Sequence, residues 1–218
     1  MTTRLGLYGH SICTNDPRTK GSYQNMLIKR FPTLEIVNIG SGNSSEERIF
    51  YELKKTKDLD IAVIFHYRPG AIFIPESNRD VYTTHRELKD TIDYQWEHHT
   101  ISNRLRTIFP DSQTLFNTLD LYLTYLSNPD LEQNRFESSL LAIDNYCLSG
   151  RVKHVIHVPY KNYIPSWFSF RSGIVDQELL ELSRLQGHRF NPNNLQDGVN
   201  ERIANRLETL IKPYINNT

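Results

Sequence analysis

Strand-like and helix-like segments alternate through the first third of the chain, and this alternation constrains the fold more than any other feature. Runs rich in apolar residues predict strands at Arg4–Tyr8, Leu34–Ile39 and Asp60–His66. Apolar residues at helical spacing predict helices at Ser22–Arg30 and Ser45–Lys57 between those strands. Because parallel neighbouring strands need a crossover connection, this order predicts βαβ units. We therefore expect an α/β fold, a three-layer α/β/α sandwich with a mostly parallel sheet.

The middle of the chain holds more helix than a crossover needs. A loop is predicted at Tyr67–Asp80, followed by helices at Val81–Phe109, Asp111–Leu126 and Leu131–Leu148. The next predicted strand is Lys153–Pro159. We interpret residues of about 80–130 as a helical insertion, which could form a lid or a contact between copies in a homo-oligomer. The alternative is that these helices only pack on the sheet.

The last third of the chain begins with an aromatic loop at 160–170. A short helix is predicted at Asp176–Leu185, then a polar loop at Gln186–Asn194 and an amphipathic helix at Leu195–Ile211. With 218 residues, the chain is long enough for one domain with a sizeable core. We expect one domain over residues 1–218, with the insertion inside it.

Composition limits the classes of partner and of site. Lysine plus arginine and aspartate plus glutamate number 25 each, so no basic field favours nucleic acid or an anionic membrane. Two cysteines, Cys13 and Cys147, are too few for a disulfide framework or a four-cysteine zinc site. No run approaches the roughly 18 apolar residues of a membrane span, and no signal peptide is evident at the amino terminus. We expect a soluble, cytoplasmic protein.

Three predicted loops should lie together at the carboxyl edge of the sheet. They are Gly9–Thr14, Gly40–Ser45 and His66–Gly70, each of which follows a predicted strand. Open α/β sheets bind their ligands at this edge, so the three loops define one candidate site. Ser11 lies in the first loop, where it is either a functional hydroxyl or only the cap of the following helix.

Three sequence blocks resemble those of the SGNH/GDSL hydrolase family. The first is Gly9–Ile12 (Gly-His-Ser-Ile), which corresponds to the family's Gly-Asp-Ser block after the first strand. The second is Val37–Ser45, a strand that ends in a turn of small residues. The third is Gly187–Pro192, which contains a histidine shortly before the last helix. The resemblance covers most of the chain outside the helical insertion and implies an SGNH, flavodoxin-like sandwich.

The resemblance implies a role for three residues. Ser11 matches the nucleophile, and His188 matches the base that takes its proton. Gly42 matches the glycine whose backbone N–H joins that of Ser11 in the oxyanion hole. The alternatives are that Gly42 serves only a tight turn and that His188 is a surface histidine.

The chain departs from the family pattern at three positions. His10 replaces the aspartate before the serine, Arg68 occupies the place of the oxyanion-hole asparagine, and Leu185 that of the aspartate before the histidine. We interpret four residues as electrostatic or substrate-binding groups of the site: His10, Asn43, His66 and Arg68.

The function implied is that of a serine esterase or deacetylase that works by acyl transfer. The substrate would be an acyl ester on a sugar, a lipid or another small molecule, and no metal or organic cofactor is required. The alternative is a catalytically silent SGNH-fold module with a structural or binding role, which would suit a viral protein. Phosphate binding at Gly40–Ser45 ranks last, because the loop lacks the spacing of a P-loop or a Gly-x-Gly-x-x-Gly fingerprint.

Overall fold

The computed structural model describes residues 2–9, 13, 21–38, 44–66, 69, 71–74, 79–82, 92–93, 96–97, 103–125, 129–187 and 197–215. Strands and helices within these ranges follow the order expected for an α/β fold. The strands are β1 Thr3–Tyr8, β2 Leu34–Asn38, β3 Leu59–Phe65, β4 Ala71–Ile74, β5 Arg79–Tyr82, β6 Val152–Val158 and β7 Ile174–Val175. The α-helices are α1 Tyr23–Arg30, α2 Glu46–Lys55, α3 Asn103–Ile108, α4 Ser112–Tyr125, α5 Pro129–Tyr146, α6 Glu178–Gly187 and α7 Asp197–Ile215.

Five strands form one sheet in which every pair of neighbours is parallel. Their spatial order is β2-β1-β3-β6-β7, which is the flavodoxin-like order 2-1-3-4-5 when these five strands are counted along the chain. The chain moves outwards from β1 to β2 and then returns to the other side of β1 with β3. The point where the direction reverses therefore lies between β1 and β3. The expected α/β fold with a mostly parallel sheet is confirmed.

Helices cover both faces of this sheet. Leu5 and Leu7 of β1 pack in an apolar cluster with α1, α6 and α7, while Tyr8 packs in a second cluster with α2 and α5. Strand β3 divides its side chains in the same way, with Val63 in the first cluster and Ile64 in the second. Burial on both faces explains why residues 61–65 of β3 form a continuous apolar run instead of an alternating one.

The amino terminus of α2 is fixed by a serine cap. The Ser45 hydroxyl accepts a hydrogen bond from the backbone N–H of Arg48. Such a cap satisfies one of the N–H groups that a helix leaves unpaired in its first turn. The cap places Glu46 at the first helical position, where the positive end of the helix dipole favours a carboxylate.

The structure corrects several segment predictions. The predicted loop Tyr67–Asp80 contains strand β4 and the start of β5, which pair as an antiparallel hairpin, so the region is not simply a loop. The expected helix from residue 81 is wrong at its start, because β5 extends to Tyr82. Strand β7 was not predicted, because it is two residues long and its side chains are exposed. Helices α3 and α4 lie within the predicted insertion, where Ile92 and Leu115 form a small apolar cluster of their own.

Candidate functional site

Most of the predicted site residues fall outside the residues that the structure describes. His66 is described, and it lies directly after β3. The residues outside the described ranges are His10, Ser11, Gly42, Asn43, Arg68 and His188. Their roles stay predictions.

Gly9 fixes where the first predicted loop begins, at the carboxyl edge of the sheet. Gly9 follows β1 and has a φ of 106°, a conformation that L side chains rarely adopt. A Cβ atom on Gly9 would overlap the backbone carbonyl oxygen of Phe65, the last residue of β3. Only glycine fits this close approach. The chain therefore leaves β1 directly beside the end of β3, at the point where the strand order reverses.

His66 takes part in a buried chain of hydrogen bonds at this edge. Its Nδ1 lies 2.8 Å from Oε2 of Glu46, and its Nε2 lies 2.8 Å from Nδ1 of His157. Both imidazoles are fully buried, and Glu46 is 3% exposed. The three residues come from the first turn of α2, the end of β3 and the end of β6. Both ring nitrogens of His66 thus contact protein groups.

The hydrogen-bond chain ends at a serine. The Nε2 atom of His157 lies 2.9 Å from Oγ of Ser172, in the loop before β7. We call Glu46, His66, His157 and Ser172 the histidine relay. The ring of Phe170 covers it, with its centroid 4.0 Å from that of His157 and 4.6 Å from that of His66.

A buried carboxylate supports the loop that carries Ser172. The Asp144 side chain on α5 is 1% exposed, and its Oδ1 accepts hydrogen bonds from the backbone N–H groups of Arg171 and Ser172 at 3.0 and 2.9 Å. The Arg171 guanidinium donates to the same carboxylate. Two backbone donors on one charged acceptor attach the loop firmly to α5.

One proton arrangement joins the four groups without a charged imidazole. In it the Glu46 carboxylate accepts from Nδ1 of His66, and Nε2 of His66 accepts from Nδ1 of His157. Nε2 of His157 then accepts from the Ser172 hydroxyl. This is the arrangement of a serine beside a general base.

Burial sets the protonation state of His157 and the reactivity of the nearby thiols. Desolvation, with a smaller contribution from His66, holds the pKa of His157 well below its usual value, so this imidazole is neutral at pH 7. Burial raises the pKa of the Cys147 thiol, which hydrogen-bonds to Ser172, to about 12. The pKa of Cys13 is also raised by burial, and neither thiol is an activated nucleophile.

The sequence interpretation found only His66 of the histidine relay. Glu46 falls only within the predicted helix Ser45–Lys57, and His157 only within the predicted strand Lys153–Pro159. The His66 backbone N–H donates to the carbonyl of Val158, so His66 and His157 end adjacent strands, a pairing that the sequence does not reveal. Nothing in the sequence pairs Ser172 with them.

The carboxylate of Asp176 is engaged in contacts with two helices. In the structure its side chain is 3% exposed and caps α6 by accepting from the backbone N–H of Leu179. The Arg206 guanidinium on α7 also donates to it. Both contacts tie this carboxylate to the helices α6 and α7.

No protein-family model matches the chain, and no curated protein matches it. Within the described residues, no three histidine, cysteine, aspartate or glutamate side chains are grouped so as to hold a metal ion. None of the helices in the described ranges is long and apolar enough to cross a membrane.

The neutral state of His157 predicts a loss of stability in mild acid. The unfolded chain binds a proton on this histidine near pH 6.5, whereas the folded protein does so only at lower pH. Stability is therefore complete above about pH 6.5 and should fall by up to about 1.4 kcal/mol per pH unit below it. Urea unfolding at several pH values between 5 and 8 measures this slope.

The matched variants are His157→Gln and His154→Gln. The first should flatten the slope below pH 6.5. The second should flatten it less, because His154 is only partly buried, stacks on Tyr214 and has a more modestly lowered pKa. An unchanged slope in His157→Gln would show that its protonation is not coupled to folding.

Proposed function

We propose that the protein is an SGNH-like serine hydrolase that acts on acyl esters of sugars or other small molecules. The observation that supports this most is the sheet order, which reverses between β1 and β3. Ligands of doubly wound sheets bind outside the carboxyl ends of the strands at such a point. Ser11 follows Gly9 by two residues, and Gly9 packs on the end of β3.

In the proposed reaction, His188 takes the hydroxyl proton of Ser11 as the Ser11 oxygen bonds to the ester carbonyl carbon. The bond to the alcohol then breaks, and the same proton passes from His188 to the leaving alcohol. The backbone N–H groups of Ser11 and Gly42 would stabilise the oxyanion, with electrostatic help from Arg68 or His10. Water releases the acyl group by the reverse sequence.

The test is ester hydrolysis by the full chain with acetylated sugars and short-chain acyl esters. We expect Ser11→Ala and His188→Ala each to lower kcat/KM by about 10³-fold or more, because nucleophile and base act as a unit. His99→Ala is the matched control, since this histidine has no proposed role. Ser172→Ala should leave hydrolysis at the Ser11 site intact. Equal turnover by all four variants would contradict the proposal.

A catalytically silent SGNH-fold module is the second candidate, and one observation favours it. A serine–histidine pair works best when a carboxylate fixes the imidazole, and removal of that group can cost about 10⁴-fold in rate. Leu185 stands at the family position of that aspartate. Asp176, which precedes Leu185 in the sequence, contacts Arg206 and the amino terminus of α6. A folded protein without hydrolase activity would support the silent module.

A further inference from the structure

We propose that Ser172 is a second nucleophile, with His157 as its base, and that it accepts the acyl group of aryl esters. This site rests on the histidine relay and the aromatic loop before β7. It does not depend on the proposed hydrolase function at Ser11, and the experiment below separates the two by the position of the adduct.

The first support is the geometry of the pair. A hydroxyl is a weak nucleophile until a base within hydrogen-bond reach takes its proton. Ser172 Oγ lies 2.9 Å from His157 Nε2, and the opposite nitrogen of that ring contacts His66 at 2.8 Å. The Glu46 carboxylate lies at the far end of the relay, 2.8 Å from Nδ1 of His66, and helps to fix the orientation of that ring. These contacts supply nucleophile, base and orienting groups in order.

The second support is the fixed position of Ser172. Its backbone N–H donates to Asp144, which is buried, and the next residue is Gly173. A Cβ atom on Gly173 would overlap the carbonyl oxygen of Val155 on β6, so the loop must lie close against the sheet here. Packing and hydrogen bonds therefore both fix the backbone that carries the Ser172 hydroxyl.

The third support is a row of aromatic rings that leads from the surface to the base. Trp167 is 60% exposed and contacts Phe168 edge-on, with ring centroids 5.8 Å apart. Phe168 contacts Phe170 at 4.9 Å, and Phe170 stacks on His157. Ser172 itself is partly exposed. An exposed tryptophan at the outer end of this row suits a flat, apolar group on the substrate.

The acyl transfer needs only Ser172, His157 and the ester. The Ser172 oxygen bonds to the ester carbonyl carbon while its proton moves to Nε2 of His157. The bond from that carbon to the aryl oxygen then breaks, and the proton on His157 passes to the aryloxide. The products are an acylated serine and a phenol, and the imidazole is neutral again.

The reaction at Ser172 requires a substrate with a weakly basic leaving group, such as a phenolate. The backbone N–H groups of Arg171 and Ser172 both donate to Asp144, so neither is directed at an oxyanion. Each missing oxyanion donor costs about 100- to 1000-fold in rate. We therefore expect reaction with activated aryl esters and sulfonyl fluorides, and none measurable with amides.

The experiment is labelling of the full chain with phenylmethanesulfonyl fluoride, with the adduct located by peptide mass spectrometry. The serine oxygen displaces fluoride from sulfur, and His157 takes the proton. We expect an adduct on Ser172 that persists in Ser11→Ala and is absent in Ser172→Ala. Ser149→Ala is the matched control, because Ser149 bonds only to a backbone carbonyl in the described contacts.

Rates separate an activated serine from a merely accessible one. His157→Gln keeps a polar group of similar size but has no base, so the labelling rate at Ser172 should fall by about 100-fold or more. Glu46→Gln should lower it by about tenfold, while Glu47→Gln, one residue along α2 and paired with Arg135 at the surface, should not. Trp167→Ala should slow the aryl reagent but not methanesulfonyl fluoride.

The unsubstituted protein decides the outcome even where a variant fails to fold. An adduct on Ser172 whose formation rate falls with His157→Gln supports the proposal. A folded protein without an adduct on Ser172, or with equal labelling rates in wild type and His157→Gln, would overturn it. An adduct on Ser11 alone would support the hydrolase proposal and reject this one.

Discussion

Gly9→Ala should lower the free energy of unfolding by about 4 kcal/mol or more and leave little soluble protein. The added methyl group meets the backbone carbonyl of Phe65, so β1 and β3 must separate where they are most buried. The backbone φ of 106° at this position would also strain an alanine, because L residues rarely adopt it. Losses of this size are exceptional for a single methyl group and require such a backbone conflict.

Gly150→Ala is the matched control for this prediction. Gly150 also has a positive φ, at 79°, but a Cβ atom there would meet no other atom within 4 Å. Only the conformational cost remains, and we expect a loss of about 1 kcal/mol. Urea unfolding of both variants measures the difference. Equal losses would mean that Gly9 does not pack on the end of β3.

Asp144→Ala should destabilise the protein by about 3–5 kcal/mol. The carboxylate is buried and accepts two backbone N–H groups, so its removal leaves both donors unsatisfied inside the protein. The contact with the Arg171 guanidinium contributes little, because that side chain is 62% exposed. Asp144→Asn keeps one oxygen acceptor and should lose about half as much.

Asp130→Ala, on the same helix, is the control for Asp144. Asp130 is exposed in the first turn of α5, at the end of the helix where the dipole favours a carboxylate. Its replacement should cost less than about 1 kcal/mol. Thermal unfolding of the three variants tests the order. A loss for Asp144→Ala no larger than that for Asp130→Ala would refute the role of this carboxylate.

Local patterns were sufficient to predict the main body of the fold. Residues 61–65 are all apolar because both faces of the strand are covered, and the sequence alone shows this run. Helix α2 begins at a serine cap with two glutamates behind it, a pattern with a physical cause. The alternation of such elements leaves few arrangements other than a parallel sheet.

The missed elements depend on contacts that no local pattern encodes. Strand β7 consists of Ile174 and Val175, both exposed, and it exists because it pairs with Ile156 and His157 at the edge of the sheet. The hairpin of β4 and β5 lies where proline and glycine indicated a loop. Pairing with a neighbouring strand overrode the local preference in both cases.

The histidine relay shows the same limit for the site. Its members are 20, 91 and 15 residues apart in successive contacts, so only the topology brings them together. The sequence could place His66 at the carboxyl edge of the sheet because it ends a strand. It could not reveal that β6 would be the neighbour of β3, and hence that His157 would contact this histidine.

Labelling with a fluorophosphonate probe tests the proposed hydrolase most directly. The probe bonds to serines that a neighbouring base activates, and peptide mass spectrometry locates the adduct. We predict an adduct on Ser11 that is lost in both Ser11→Ala and His188→Ala. A folded, monodisperse protein without an adduct on Ser11 would contradict the hydrolase proposal and favour the silent module.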